Sequence, residues 1–171
     1  KKLDNFESNL VRGIYFLENK NLTQAKIYFK KLKKQSQPGT IQDLLSVSLN
    51  SWSNFTDIDS ALSSLKSFPD RFNNIKNIQE AFVYCYFDSE RTNEKFEKLT
   101  TNSKNNFSRY YFFHANYLIS KGKEKRAKNI LQSATNLNPT NLILNQLKTD
   151  LSQKQKTSDE FDCKKINHVI S

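Results

Sequence analysis

The sequence predicts an all-α fold: about four helix–turn–helix units stacked in a row, then one further helix towards the C-terminus. Three observations carry this. Glycine and proline are scarce, three of each in 171 residues, which argues against a turn-rich β fold and for long helices. Apolar residues recur at helical spacing along most of the chain, broken by short polar turns. Small residues return at a near-constant interval, Ala61 following Ala25 by 36 positions. Thirteen Phe, seven Tyr and one Trp supply bulky packing groups and argue against disorder. The hydrophobic share is 36% and the mean hydropathy −0.74, polar for a compact globule but suited to an elongated solenoid.

The first unit covers 6–39. Leu10, Ile14 and Leu17 form one helical stripe, with Gly13 at a close-contact position. Asn19–Asn21 makes the turn, and Leu22, Ala25, Phe29 and Leu32 define the second helix before Pro38 and Gly39 end it. The second unit covers 41–69. Leu44, Leu45, Val47, Leu49 and Trp52 build its first helix. Asp57 or Asp59 caps the next, which carries Ala61, Leu62, Leu65 and Phe68 up to Pro69. The third, 74–101, is weaker. Ile75, Ile78, Ala81, Phe82 and Cys85 predict one helix, and Ser89 or Thr92 caps another holding Phe96 and Leu99. Residues 102–106 read as a polar loop.

The fourth unit, 108–141, has the clearest pattern. With Ser108 as position 1, Tyr111 falls at 4, Ala115 at 8, Leu118 at 11, Ala127 at 20, Leu131 at 24, Ala134 at 27 and Pro139 at 32. The first unit follows suit, with Gly13, Phe16, Ala25 and Phe29 at 8, 11, 20 and 24, although Arg12 occupies a usually apolar position 7. This pattern resembles the tetratricopeptide repeat, a pair of antiparallel helices. The resemblance implies a right-handed α-solenoid, and a scaffold that holds partners rather than a catalyst. The physical logic is that helix axes packing about 8–10 Å apart need small side chains at the crossing. Each pair leaves an apolar face that the next must cover. Residues 1–150 make up the repeat domain. After Asn141, Leu142, Leu144 and Leu147 predict one more helix. In 151–171, Gln153–Glu160 reads as a polar linker, and Phe161, Ile166, Val169 and Ile170 as the start of a further helix.

In repeats of this kind first-helix positions near 2, 5, 9 and 12 line the inner groove. Here those are Arg109, Phe112, Asn116 and Ile119 in the fourth unit, and Ile78, Ala81, Cys85 and Asp88 in the third. Arg109, Phe112, Asn116, Ile78 and Cys85 are therefore the candidate partner-binding residues. Two readings stand: the groove accepts a helix or extended segment, or Phe112 and Ile119 pack against a neighbouring repeat. The Lys/Asn clamp by which some such domains grip a peptide carboxylate is not supported. Leu10 and Ile14 stand where it needs Lys and Asn, Val47 replaces the next Asn, and Arg109 is followed by Phe113.

The net charge of +10 favours an acidic partner, whether protein, nucleic acid or anionic surface. Composition supplies a simpler cause, since 22 Lys, 20 Asn and 11 Ile against 5 Arg are what an A/T-rich genome would encode. A base-reading array would need regular polar residues at one position, yet position 5 runs Leu10, Ser46, Ala81, Phe112. No catalytic motif, metal site or cofactor is indicated. His114, at position 7, reads as a packed histidine. Cys85 reads as a buried small hydrophobe, and with Cys163 far away no disulfide framework is expected. No 18-residue apolar run spans a membrane. Absence of Met, and a C-terminus inside an apolar pattern, suggest a piece of a longer protein, akin to multi-repeat bacterial proteins. The partner is a protein or peptide; self-association is also compatible. The compartment stays open between cytoplasm and periplasm.

Overall fold

A computed structural model describes residues 4–101, 107–153 and 161–164. These contain helices and no strand. In order they are α1 (Phe6–Glu18), α2 (Leu22–Gln35), α3 (Ile41–Ser53), α4 (Ile58–Ser64), α5 (Asn73–Tyr86), α6 (Thr92–Thr100), α7 (Ser108–Ser120), α8 (Glu124–Leu137) and α9 (Leu142–Ser152). The predicted polar loop 102–106 lies outside the described residues, as do nearly all of the predicted linker and Ile166, Val169 and Ile170. Phe161 is described and is not helical.

The described chain forms two compact units. One holds the residues up to Ser89 together with Cys163 and Lys164; the other runs from Glu90 to Asp162. The boundary falls between α5 and α6, the pair read from sequence as the third repeat.

In the first unit α1 packs on α2, α2 on α3, α3 on α4 and α4 on α5. Asn5 starts α1 by accepting the Ser8 N–H at 2.9 Å, and Asn21 starts α2 by accepting that of Gln24 at 3.1 Å. Between them Lys20 takes φ +57°. The Lys20 N–H returns to the Leu17 carbonyl and that of Asn21 to Phe16, a Schellman reversal. Ala25, Phe29, Leu32 and Leu49 form a sealed core against which Leu10, Ile14 and Leu17 pack. Gly13 is there because nothing larger fits: a Cβ would come within 2.8 Å of Phe29 Cδ1 and closer still to Cε1.

Asp57, of the two candidates, caps α4, accepting the Ser60 N–H at 2.7 Å. The predicted helix through Phe68 is shorter than its apolar stripe. It ends at Ser64 and passes into a 3-10 turn, Leu65–Ser67. Leu65 and Phe68 are buried all the same, because burial of the stripe, rather than α-helical continuity, is what the core demands. Asp43, also buried, accepts the Gly39 N–H at 2.8 Å and pairs with Lys33. Burial alone would raise its carboxyl pKa, but those two partners outweigh it and hold the pKa below the usual value.

In the second unit α7 packs on α6, α8 and α9, and α8 on α9. Tyr111, Ala115, Leu118, Ala127, Leu131 and Ala134, the helical residues of the repeat pattern, are all buried, while Pro139 is exposed. Neither Ser89 nor Thr92 caps α6. Arg91 precedes it without a side-chain cap bond, and Thr92 is already inside the helix and buried. Leu142 departs from the stripe predicted for α9: Leu144, Leu147 and Leu151 face inward while Leu142 is 83% exposed.

Candidate functional site

Helix α7 has neighbours on three sides within its unit, so most of its circumference is closed. Tyr110, Tyr111, Phe113, His114, Ala115, Tyr117 and Leu118 are buried. Left open is one line along the helix. Arg109 is exposed, and Phe112, Asn116 and Ile119 are half-buried. Their offsets of three, seven and ten keep them within one narrow sector over about 15 Å of helix. Arg109 has no ion-pair partner among the described residues. The Asn116 side-chain N–H donates to the Phe112 carbonyl at 2.9 Å, which fixes the amide and leaves its oxygen to accept. The Phe112 ring meets Phe113 edge-on at 5.4 Å. A cation, an aromatic face, an oriented amide and an aliphatic group thus stand in a row.

The candidates on α5 are placed differently. Ile78 is 4% exposed and Ala81 is sealed. Cys85 overturns the sequence reading. It is disulfide-bonded to Cys163, with their Cα atoms 5.8 Å apart and 78 positions between them in sequence. Neither Ile78 nor Cys85 offers a free side chain to a partner. No local spacing signals such a pairing, and that is why it was missed. Beside it, Lys164 Nζ lies 3.3 Å from Asp88.

His114 is fully packed. Its Nδ1 lies 2.7 Å from the Thr100 hydroxyl, its ring stacks on Phe96 at 6.1 Å, and its Nε2 is buried with no hydrogen-bond partner among the described residues. Burial, with the Arg126 charge adding to it, lowers its pKa to about 4. The imidazole is neutral at physiological pH. Phe96 also stacks on Tyr117 of α7 at 5.1 Å.

Two further features went unread in the sequence. Asn9 is fully buried at position 4 of the first unit. It donates to Asp4 at 2.9 Å and Gln35 at 3.1 Å, and thereby ties the start of α1 to the end of α2. In the second unit Leu137, Leu142 and Ile143 leave apolar surface exposed. Among the described residues, no group of three or more His, Cys, Asp and Glu could hold a metal ion, and no helix is long and apolar enough to cross a membrane. Comparison of the chain with protein-family models, curated proteins and solved structures finds no match.

Proposed function

We propose that this chain is a non-catalytic binding module, built from tetratricopeptide-like helix pairs in a right-handed α-solenoid, that holds a partner protein or peptide along α7. The observation that carries the reading is the open line Arg109–Phe112–Asn116–Ile119 on a helix otherwise closed by its neighbours. Its chemistry suits an acidic-apolar segment. Arg109 presents a fork for a carboxylate, Phe112 and Ile119 present apolar area, and the fixed Asn116 amide can meet a peptide backbone. A span of about 15 Å matches four or five extended residues, or about ten residues of helix. Of the seven pattern positions in 108–141, all but the turn residue Pro139 are buried, and this burial supports the repeat reading.

The test is affinity capture with the full chain against an Arg109→Glu/Phe112→Ala variant. Arg109 is exposed and Phe112 half-buried, so circular dichroism is used to check that the variant keeps the wild-type helix content. A partner held by the wild type and lost by the variant supports the reading; equal retention removes α7 as the site.

One observation favours a second reading, binding to a nucleic acid. Helix α2 carries Lys26, Lys30, Lys31, Lys33 and Lys34 and no acidic residue, and among the described residues only Lys31 and Lys33 form ion pairs, with Asp4 and Asp43. Oligonucleotide affinity falling steeply with salt would support this reading. No binding at low salt would dismiss it.

A further inference from the structure

The chain has two cysteines, and both are consumed in one bond. The chain leaves the first unit after Ser89 and re-enters it at Cys163, so the whole of the second unit lies within the loop that the bond closes. We infer that the Cys85–Cys163 disulfide is a lasting structural clasp, and that the chain therefore folds and works in an oxidising compartment. Three observations support this. The Cα separation of 5.8 Å is that of native disulfides, so the backbone needs no movement to close the bond. Cys85 and Cys163 are 9% and 6% exposed. An attacking thiolate must approach a disulfide sulfur directly, and this burial shields both sulfurs from thiol reductants. The Lys164–Asp88 ion pair joins the same two strands of chain immediately beside the bond, so the returning segment is held by two independent contacts.

Closure is an exchange with a disulfide oxidant, either a protein or a small molecule. One cysteine thiolate attacks the oxidant and releases one of its sulfurs as a thiol. The second cysteine then attacks the mixed disulfide and releases the other. Two protein thiols and one oxidant disulfide become one protein disulfide and two oxidant thiols, and no electron is left over. Where glutathione and thioredoxin keep thiols reduced, such a bond does not accumulate.

The test is thiol trapping of the full chain in its native cells, quenched in acid and labelled with a maleimide mass tag. The expected result is no label before reduction and label on both cysteines after it. Label on Cys85 and Cys163 in the unreduced sample would overturn the inference. A second measurement needs no cells. Wild type reduced while unfolded and refolded in reductant should melt roughly 10 °C below the oxidised wild type, and the same treatment should leave Cys163→Ser unchanged. An unmoved wild-type melting temperature would show that the bond clasps nothing.

Discussion

The hairpin α1–α2 of the first unit and the hairpin α7–α8 of the second have the same dimensions and different contents. Each pairs a 13-residue helix with a 14-residue one. Each reverses through three residues whose middle member is left-handed, Lys20 at φ +57° and Gly122 at φ +69°. In both, the reversal closes with a pair of Schellman bonds; in the second these run from Gly122 to Ile119 and from Lys123 to Leu118. At the helix crossing the residues differ. The first hairpin sets Gly13 against Phe29, and the second has Ala115 and Leu131 at the same two positions. Where the first needs a larger ring it has given up a Cβ. What repeats is the space to be filled and the path of the chain, not the identity of the residues.

The largest difference between them concerns acid. Position 7 is half-buried Arg12 in the first hairpin and sealed His114 in the second. With its folded pKa lowered from 6.5 to about 4, His114 is neutral in the folded state while the unfolded chain takes up a proton below 6.5. Stability is therefore undiminished above pH 6.5 and falls as pH drops towards 4, by about 3 kcal/mol in all. The Asp43 carboxylate, held below its usual 3.8, loses its bonds only at lower pH, so the two windows separate. Hydrogen-exchange protection of α7 amides should weaken between pH 6.5 and 4.5 in the wild type and hold steady in His114→Leu.

Next in size is the crossing itself. Gly13→Ala improves helix propensity by about 1 kcal/mol but drives a Cβ into a sealed Phe29 ring, and overpacking costs about 1–3 kcal/mol. A net loss of about 1 kcal/mol is expected by urea denaturation. At the matching position Ala115→Gly should cost about 1 kcal/mol with no clash to relieve.

The turns give the smallest effects. Lys20→Gly removes a left-handed side chain and should stabilise by about 0.5–1 kcal/mol, whereas Gly122→Ala should cost about 1 kcal/mol. The second hairpin lacks what Asn21 supplies in the first, since Lys123 makes no side-chain cap bond. Lys123→Asn should add about 0.5–1 kcal/mol, read as a rise in melting temperature.

Much of the helical layout was legible because the crossing residues are small and regularly spaced: Gly13, Ala25, Ala115 and Ala127 each mark a close approach. Among the described residues, the left-handed turn residues that are not glycine, Lys20 and Asp88, carry no such mark. At Lys20 the conformation follows from the reversal that lays α2 back on α1. The 3-10 break after Ser64 was invisible because Leu65 and Phe68 keep the apolar spacing of a helix. Phe96, a large residue in the weakest of the four units, stacks on Tyr117 of α7, a contact that no spacing in the sequence signals. Of the candidate site, the line on α7 was legible through the repeat resemblance, whose groove positions 2, 5, 9 and 12 it occupies. The closure of Ile78 and Cys85 was not, because burial of α5 and a bond across 78 positions are set by tertiary contacts.

The most direct test of the claim that the two hairpins are one packing unit with its sizes redistributed is a double-mutant cycle between Gly13 and Phe29. The measured quantity is unfolding free energy in urea for the wild type, Gly13→Ala, Phe29→Leu and the double variant. If the claim holds, Gly13→Ala changes sign: destabilising beside Phe29, and stabilising by up to about 1 kcal/mol beside Leu at that position, a coupling of about 2 kcal/mol. Effects that add to within about 0.3–0.5 kcal/mol would contradict it.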